Sequence, residues 1–488
     1  MSVRAGVAAG HPSTAHAGAD ILARGGSAAD AAVAMMLVSC AAETLFTGLA
    51  GGGFATYYDA ATRQTSCVDF FVAVPGLDGR HPGPGVPIEV VFVGQQMAYE
   101  IGPPTVAVPG VPAGARHIWT RWGRLDWAEI VAPGRQASLG TPFPATHASL
   151  LASVAQAMAV NDGNQVFRRP DGTLLQSGDP LVHPEHARAY DLLARDPDAF
   201  YSGDYAEALV AAVADGGALS MADLAAYRVV ESQPRTVDFH GFSVHARGDD
   251  LDDVLATLAR AAGVVNADPL TSPTAALALV DALRGPDRRA ETTNLVAVDE
   301  DGNACAITTS LGLGSGVWVP GYGVHLNSML GEGELIRERL HPGVRMGSMM
   351  SPLVALDEEH RLVLAAGAAG GSRIRSALVQ CVLRMLTGSP PQQAIDAPRL
   401  NALPGTVRLE PGFAPEVVAA LQARGEQVLV AGSRDPYFGG VSAVSRVGGG
   451  ADPRRNGFVV ALDPAGATND SGRSGRRSAV AERGAADL

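Results

Sequence analysis

Residues 292–310 read TTNLVAVDEDGNACAITTS. Two runs rich in β-formers flank the polar turn DEDGN, which predicts a β-hairpin with a longer loop. Downstream, LGLGSGVWVPGYGVHLN is punctuated by glycine, and SPLVALDEEHRLVLAAG reads as a third strand. The strand runs into AAGGSRIRSALVQCVLRML, a double glycine followed by an apolar helix. Upstream, residues 13–48 predict two helical pieces broken at Gly25-Gly26-Ser27. The second piece is apolar nearly all round, as a buried helix is, and Ser27 with Asp30 has capping-box spacing. TGLAGGGFATYYD then predicts a tight turn entering a strand. Residues 141–230 and 251–285 have helical patterns, 235–248 is strand-like, and 81–102 is proline-rich and hydrophobic at once, with no clear assignment. Strands are therefore expected mainly in the last 200 or so residues, flanked by helices.

The chain has 488 residues, 47% hydrophobic and 18% charged, with 58 Gly and 32 Pro. Such a composition supplies a large core and excludes a disordered chain, a collagen and a small disulfide scaffold. Length alone allows two or three domains. Lys and Arg number 37 against 50 Asp and Glu, a net charge of −13, which has the wrong sign for non-specific nucleic-acid binding. Cys40, Cys67, Cys305 and Cys381 are far apart among apolar neighbours, so buried free thiols are expected rather than disulfides or a zinc site. The first 25 residues contain no run suited to a signal peptide, and no long apolar run suggests a membrane span. A cytoplasmic protein is expected, with a disordered tail over 466–488.

No GxGxxG before a helix, P-loop, HExxH or GxSxG is present, and no cofactor or metal is expected. Two features could carry chemistry. Thr292 would be a nucleophile if it were the first residue of a chain, because a free α-amine can take its proton. It is interior, so peptide cleavage before it would be needed, and the preceding LRGPDRRAE looks like an exposed linker. Read alone, the threonine pair is equally an ordinary strand start. The amides of Gly370 and Gly371, between strand and helix, could stabilise a negative oxygen or could simply form a tight turn.

Taken in order, the segments GGSAADAAVAM (25–35), ETLFTGLAGGGF (43–54), VAVPGVPAG (106–114), WGRLDW (122–127), FYSG (200–203), LSMADLAAY (219–227), TTNLVAVDEDGNACAITTS (292–310), SMMSP (348–352), AAGGSRI (368–374) and DPRRNG (452–457) resemble the gamma-glutamyltranspeptidase family, a branch of the N-terminal-nucleophile hydrolases. The resemblance implies one α+β fold, a four-layer αββα sandwich. It also implies self-cleavage between Glu291 and Thr292 into chains 1–291 and 292–488, the second with its core over 292–465. The two chains would stay together as a heterodimer, which could pair further into a dimer of heterodimers. Thr292 would be the nucleophile of an acyl-enzyme mechanism, Gly370 and Gly371 the oxyanion-hole amides, and Ser310 the hydroxyl that supports the nucleophile.

The substrate-binding positions depart from the family pattern. Phe71 stands where the family has the arginine that clamps the α-carboxylate of a γ-glutamyl group, and an aromatic ring cannot replace a bidentate donor. Gly312 replaces an asparagine, and Met329 with Glu332 replaces the pair that holds the α-amine. A serine pair is reduced to Ser348 and Met349, and Asn294 replaces a histidine. A γ-glutamyl donor would then bind poorly unless Arg373 or another cation reaches in. The expectation is an amide hydrolase or acyltransferase on a small amide or peptide-like substrate, with altered acyl specificity. Alternatives are a same-fold enzyme of natural-product metabolism, including carbon–carbon cleavage, and an unprocessed scaffold or binding protein.

Overall fold

The computed structural model describes residues 5–92, 95–286, 292–336, 340–462 and 468–470. The segment just before Thr292, including Glu291, lies outside the described residues, as does the tail after 470.

Two antiparallel sheets stack face to face. The first has eight strands in the spatial order Thr468–Asp470, Phe458–Leu462, Ala5–Ala9, Thr293–Val298, Ala304–Ser310, Gly52–Asp59, Gln64–Phe70 and Val230–Ser232. The second has six: Gly448–Ala451, Gly440–Ser445, Leu362–Ala369, Leu353–Leu356, Phe242–Ala246 and Arg235–Phe239. The expected hairpin forms, with Thr293 opposite Thr309 and Val298 opposite Ala304.

Side chains alternate across each strand. Leu295, Ala297, Cys305 and Ile307 point one way, into a core shared with the helices Pro12–Ala23 and Ala28–Ala42. Val296, Val298, Ala304 and Ala306 point the other way and meet Val354, Leu356, Ala365 and Val444 of the second sheet. The second sheet is covered on its far side by Val254–Val264, Pro273–Leu283 and Arg373–Leu386. Helix, sheet, sheet, helix is the sandwich that the resemblance implied.

Helix Ala28–Ala42 is buried at every position, which explains an apolar pattern with no polar face. Its capping box forms, Ser27 accepting from the Asp30 amide at 3.1 Å and Asp30 from the Ser27 amide at 2.9 Å. All four cysteines are buried and free. Among the described residues no helix is long and apolar enough to cross a membrane, and no group of three or more His, Cys, Asp or Glu could hold a metal ion.

Three expectations need correction. The single strand expected over 351–367 is two, Leu353–Leu356 and Leu362–Ala369, because the polar DEEH turns the chain back. Strands do not concentrate in the last 200 or so residues, since Ala5–Ala9, Gly52–Asp59, Gln64–Phe70 and Val230–Ser232 supply half of the first sheet. The part of the 466–488 tail that is described, Thr468–Asp470, is an edge strand on Phe458–Leu462. The unassigned stretch contains the hairpin Val86–Phe92 and Gln95–Ile101.

Candidate active site

Strand periodicity sorts the threonine pair. Thr293 continues the face that looks to the helices, and Thr292 continues the face between the sheets. Thr292 is buried, and its Oγ1 accepts a hydrogen bond of 2.9 Å from the Gly370 amide of the second sheet. The strand Leu362–Ala369 ends at that glycine and the helix Arg373–Leu386 begins three residues later. Gly370 has φ +123° and Gly371 φ +61°, backbone that L side chains rarely adopt. A Cβ on Gly370 would come within 3.1 Å of Gly439 Cα. The double glycine therefore turns an amide towards the Thr292 oxygen at the start of a helix, where partial positive charge favours a growing negative one.

Ser310 lies across the ladder from Thr292, and its Oγ accepts from the Gly312 amide at 3.0 Å. Thr292, Ser310 and Gly371 face a small cavity walled by Phe71, Met329, Leu335, Met349, Met350 and Ile374, with Ser348 at its edge. Folding thus gathers Thr292, Ser310, Gly370, Gly371, Phe71, Met329, Ser348 and Met349, which are scattered over some 300 positions of sequence.

Gly312, Glu332 and Arg373 sit elsewhere. Glu332 Oε1 accepts from the Leu313 amide at 3.2 Å, and Gly312 (φ +69°) leaves the space this carboxylate fills, since a Cβ there would be 2.3 Å from it. Both hold the loop after Ser310 and do not line the cavity. Arg373 faces away from Phe71, its Nε donating to the Tyr437 carbonyl at 3.3 Å. Among the described residues no charged side chain lines the cavity. Phe71 is stacked on Phe54 with ring centroids 5.3 Å apart. Behind Phe54 lies the Arg247 guanidinium, 3.6 Å from that ring's centroid and bonded to Asp249. A larger cavity of about 760 Å³, lined by His240, Asp268 and Arg384, lies at the far end of helix Arg373–Leu386 and shares no residue with the surroundings of Thr292.

Sequence reading missed Glu43. Its carboxylate is buried and accepts from Thr293 Oγ1 at 2.5 Å and Thr14 Oγ1 at 2.7 Å. It lines a second recess of Thr292, on the side away from Phe71. Burial pushes its pKa up to about 7, with the hydroxyls of Thr293 and Thr14 opposing the rise. The only available signal was a lone acid inside an apolar run. Asn327 was missed too: it donates to the carbonyls of Ala50 and Ala107 at 2.9 Å each, fixing the glycine-rich strand entry.

Glu43 gives stability a pH dependence. A carboxyl group with a raised folded pKa binds its proton more tightly folded than unfolded, so its favourable share is full below about pH 4.5 and is lost as pH rises through about 7. Glu43→Gln keeps the shape and removes the titration. Thermal melts from pH 4.5 to 8 should therefore fall less steeply in the variant, by an amount on the order of 3 kcal/mol across the window. Parallel curves would contradict a raised Glu43.

The sequence pattern of the gamma-glutamyltranspeptidase family matches residues 14–250 and 257–462. The chain belongs to the gamma-glutamyltranspeptidase family. It is 25% identical to a glutathione hydrolase proenzyme of Bacillus subtilis (strain 168), over 94% of this chain and 91% of that protein. It is 28% identical to an acylase ACY 1 proenzyme of Pseudomonas sp. (strain SE83), over 90% and 89%. Cephalosporin acylase from Bacillus halodurans has the same fold, with a TM-score of 0.76 at 23% identity over 95% of this chain and 96% of that one. Members of the gamma-glutamyltranspeptidase family are self-processing enzymes with hydrolase or acyltransferase activity, and the chain is a divergent member. Membership carries with it threonine-nucleophile acyl-transfer chemistry and assembly from two pieces of one precursor.

Proposed function

We propose that the chain cleaves itself before Thr292 and that the freed threonine transfers a non-glutamyl acyl group from an amide to water or an amine. The carrying observation is the Thr292 oxygen, held by the Gly370 amide beside a mainly apolar cavity that no cation lines among the described residues. In this reading the new α-amine takes the hydroxyl proton as Oγ1 attacks the amide carbon. The carbonyl oxygen becomes an oxyanion near the glycine turn. The C–N bond then breaks, the amine leaves with a proton, and an ester on Thr292 remains for water or an acceptor amine to open.

The cavity argues against a γ-glutamyl donor. A buried carboxylate without a charged or hydrogen-bonding partner costs several kcal/mol, roughly 2–5. Phe71, Met329 and Met349 offer none, and the hydroxyls of Ser310 and Ser348, which also line the cavity, bring no charge. An uncharged acyl group suffers no such penalty and gains from the thioethers and rings around it. The acylase relatives support the same direction.

A denaturing gel tests processing. Two bands of about 30 and 20 kDa are expected, their shares of 50.1 kDa, the smaller beginning TTNLV. A single full-length band that persists on incubation would defeat the reading. Donor choice is tested with 4-nitroanilides of acetyl, butyryl and γ-glutamyl groups, the uncharged acyl groups reacting faster. Release of nitroaniline in step with the acid distinguishes amide cleavage from carbon–carbon cleavage.

Phe71→Arg gives a further check. The side chain is 1% exposed and packed on Phe54, with Arg247 close behind. A guanidinium there would be buried beside a like charge. The variant should lose about 3 kcal/mol or more of stability. It should gain no γ-glutamyl-4-nitroanilide activity. A clear gain would show that the rest of the cavity still fits a γ-glutamyl group.

A further inference from the structure

The cavity of about 760 Å³ at the far end of helix Arg373–Leu386 is built from both sides of Thr292. The loop 265–270 and Leu279 come before it in the chain, and Gln380, Leu383, Arg384 and Ser389 come after. Val265, Leu270, Leu279 and Leu383 give the cavity apolar walls. Its volume lies in the range that encloses a small organic ligand, roughly 300–1,000 Å³.

Arg384, in the last turn of the helix, is the arginine that lines this cavity among the described residues. Its side chain is half-buried, and its Nη1 is buried with no hydrogen-bond partner among them. Neighbours that could serve it are engaged elsewhere. Gln380 donates to the carbonyls of Ser376 and Leu400 at 2.7 and 2.9 Å and accepts from the Leu400 amide at 3.1 Å. The helix end is capped without the guanidinium, since Thr387 Oγ1 donates to the Leu383 carbonyl at 2.8 Å and the Ser389 amide to the Arg384 carbonyl at 2.9 Å. Asp268 lines the cavity too and attracts Arg384 through space, but it is exposed, and its Oδ1 accepts from the Leu270 amide at 3.0 Å. Arg399 and Arg454, whose like charges also act on Arg384, are bonded to Asp452 and Glu410. Burial holds the Arg384 pKa below the ordinary arginine value, as expected of a cation short of partners.

We propose that this cavity is a second ligand site, which takes an organic carboxylate with an apolar body. The carboxylate pairs with Arg384, and the body lies against Leu270, Leu279 and Leu383. A guanidinium fork gives a carboxylate two charge-assisted hydrogen bonds, and a desolvated cation without a partner gains most from an arriving anion. A bare inorganic anion would leave the apolar walls wet and gain nothing from them. The site shares no residue with the surroundings of Thr292, so it does not rest on the reading of that threonine as nucleophile. In a chain cut before Thr292 the bound ligand would touch both pieces and hold them together.

Two probes of one shape test this, 4-phenylbutyrate and 4-phenyl-1-butanol, and neither has an amide to be cleaved. Calorimetric titration of the purified protein should show the carboxylate binding at least about tenfold more tightly than the alcohol. Inorganic phosphate should bind more weakly than 4-phenylbutyrate. Arg384→Met should abolish the preference, and Arg384→Lys should keep part of it. Leu270→Trp, which fills the apolar part, should weaken both organic probes. Arg446→Met, at a different cavity, should leave the preference unchanged. Because the Arg384 guanidinium bonds to nothing among the described residues, Arg384→Met should melt no lower than the wild type. In the same melts 4-phenylbutyrate should stabilise the wild type and not the variant. Equal binding of the two organic probes by the wild type, or binding of neither, overturns the proposal, as does a preference that survives Arg384→Met. Phosphate bound as tightly as 4-phenylbutyrate would refute the apolar body.

Discussion

Thr292→Ala is expected to leave the purified protein as one band near 50.1 kDa and to lower amide turnover more than about a thousandfold. One hydroxyl serves both steps. In self-cleavage it would attack the carbonyl just before it, and in turnover the substrate amide. Alanine removes the oxygen that accepts from the Gly370 amide, while the strand Thr293–Val298 and its ladder to Ala304–Ser310 keep their packing. The fold should survive, with a thermal midpoint close to that of the wild type. Gel, melt and chromogenic assay together separate the outcomes. A variant that is still cleaved, or that still turns over an amide, places the nucleophile elsewhere. Thr292→Ser should retain cleavage, since the hydroxyl is kept.

Gly370→Ala should be nearly as severe for a different reason. At φ +123° a Cβ strains the backbone, at a cost on the order of 1–3 kcal/mol, and it would press on Gly439 Cα at 3.1 Å. Relief of that strain rotates the amide that now points at Thr292 Oγ1. Losing one such donor typically lowers kcat by about 10²–10³-fold. A drop of that size is expected in kcat on the preferred amide, with KM changed much less, because the donor acts on charge that grows during reaction. The melt should fall by a few degrees only. Equal loss in kcat and affinity would indicate a collapsed cavity instead of a lost donor.

Much of the architecture was legible in local pattern. The hairpin 292–310, the capped helix after Ser27 and the strand–glycine–helix turn at 370–371 each carry a signature within about ten residues, because turn chemistry and side-chain periodicity are local. The split of 351–367 into two strands was hidden by its short apolar runs. Of the early strands, Gly52–Asp59 was announced by its glycine turn, while Gln64–Phe70, with its polar start and only partial alternation, was left unassigned. At the site, Thr292 and the glycine pair stood out as candidates for chemistry, and Ser310 came in only through the family resemblance. Gly312 and Glu332 lie outside the cavity, and spacing alone cannot tell a side chain that holds its own loop from one that faces a ligand.

By itself, then, the sequence determined the nucleophile candidate, the glycine turn and an aromatic ring at position 71. These are matters of residue identity at positions set by short-range order. Only the tertiary structure decided where charge lies around Thr292. Phe71, Met329 and Met349 come from three distant segments to close one side, while Arg373 and Arg455 meet on the other, across the joint of the two sheets. Electrostatic fields depend on distance through space, and the separation of 82 positions from Arg373 to Arg455 in the chain says nothing of their approach to Gly370.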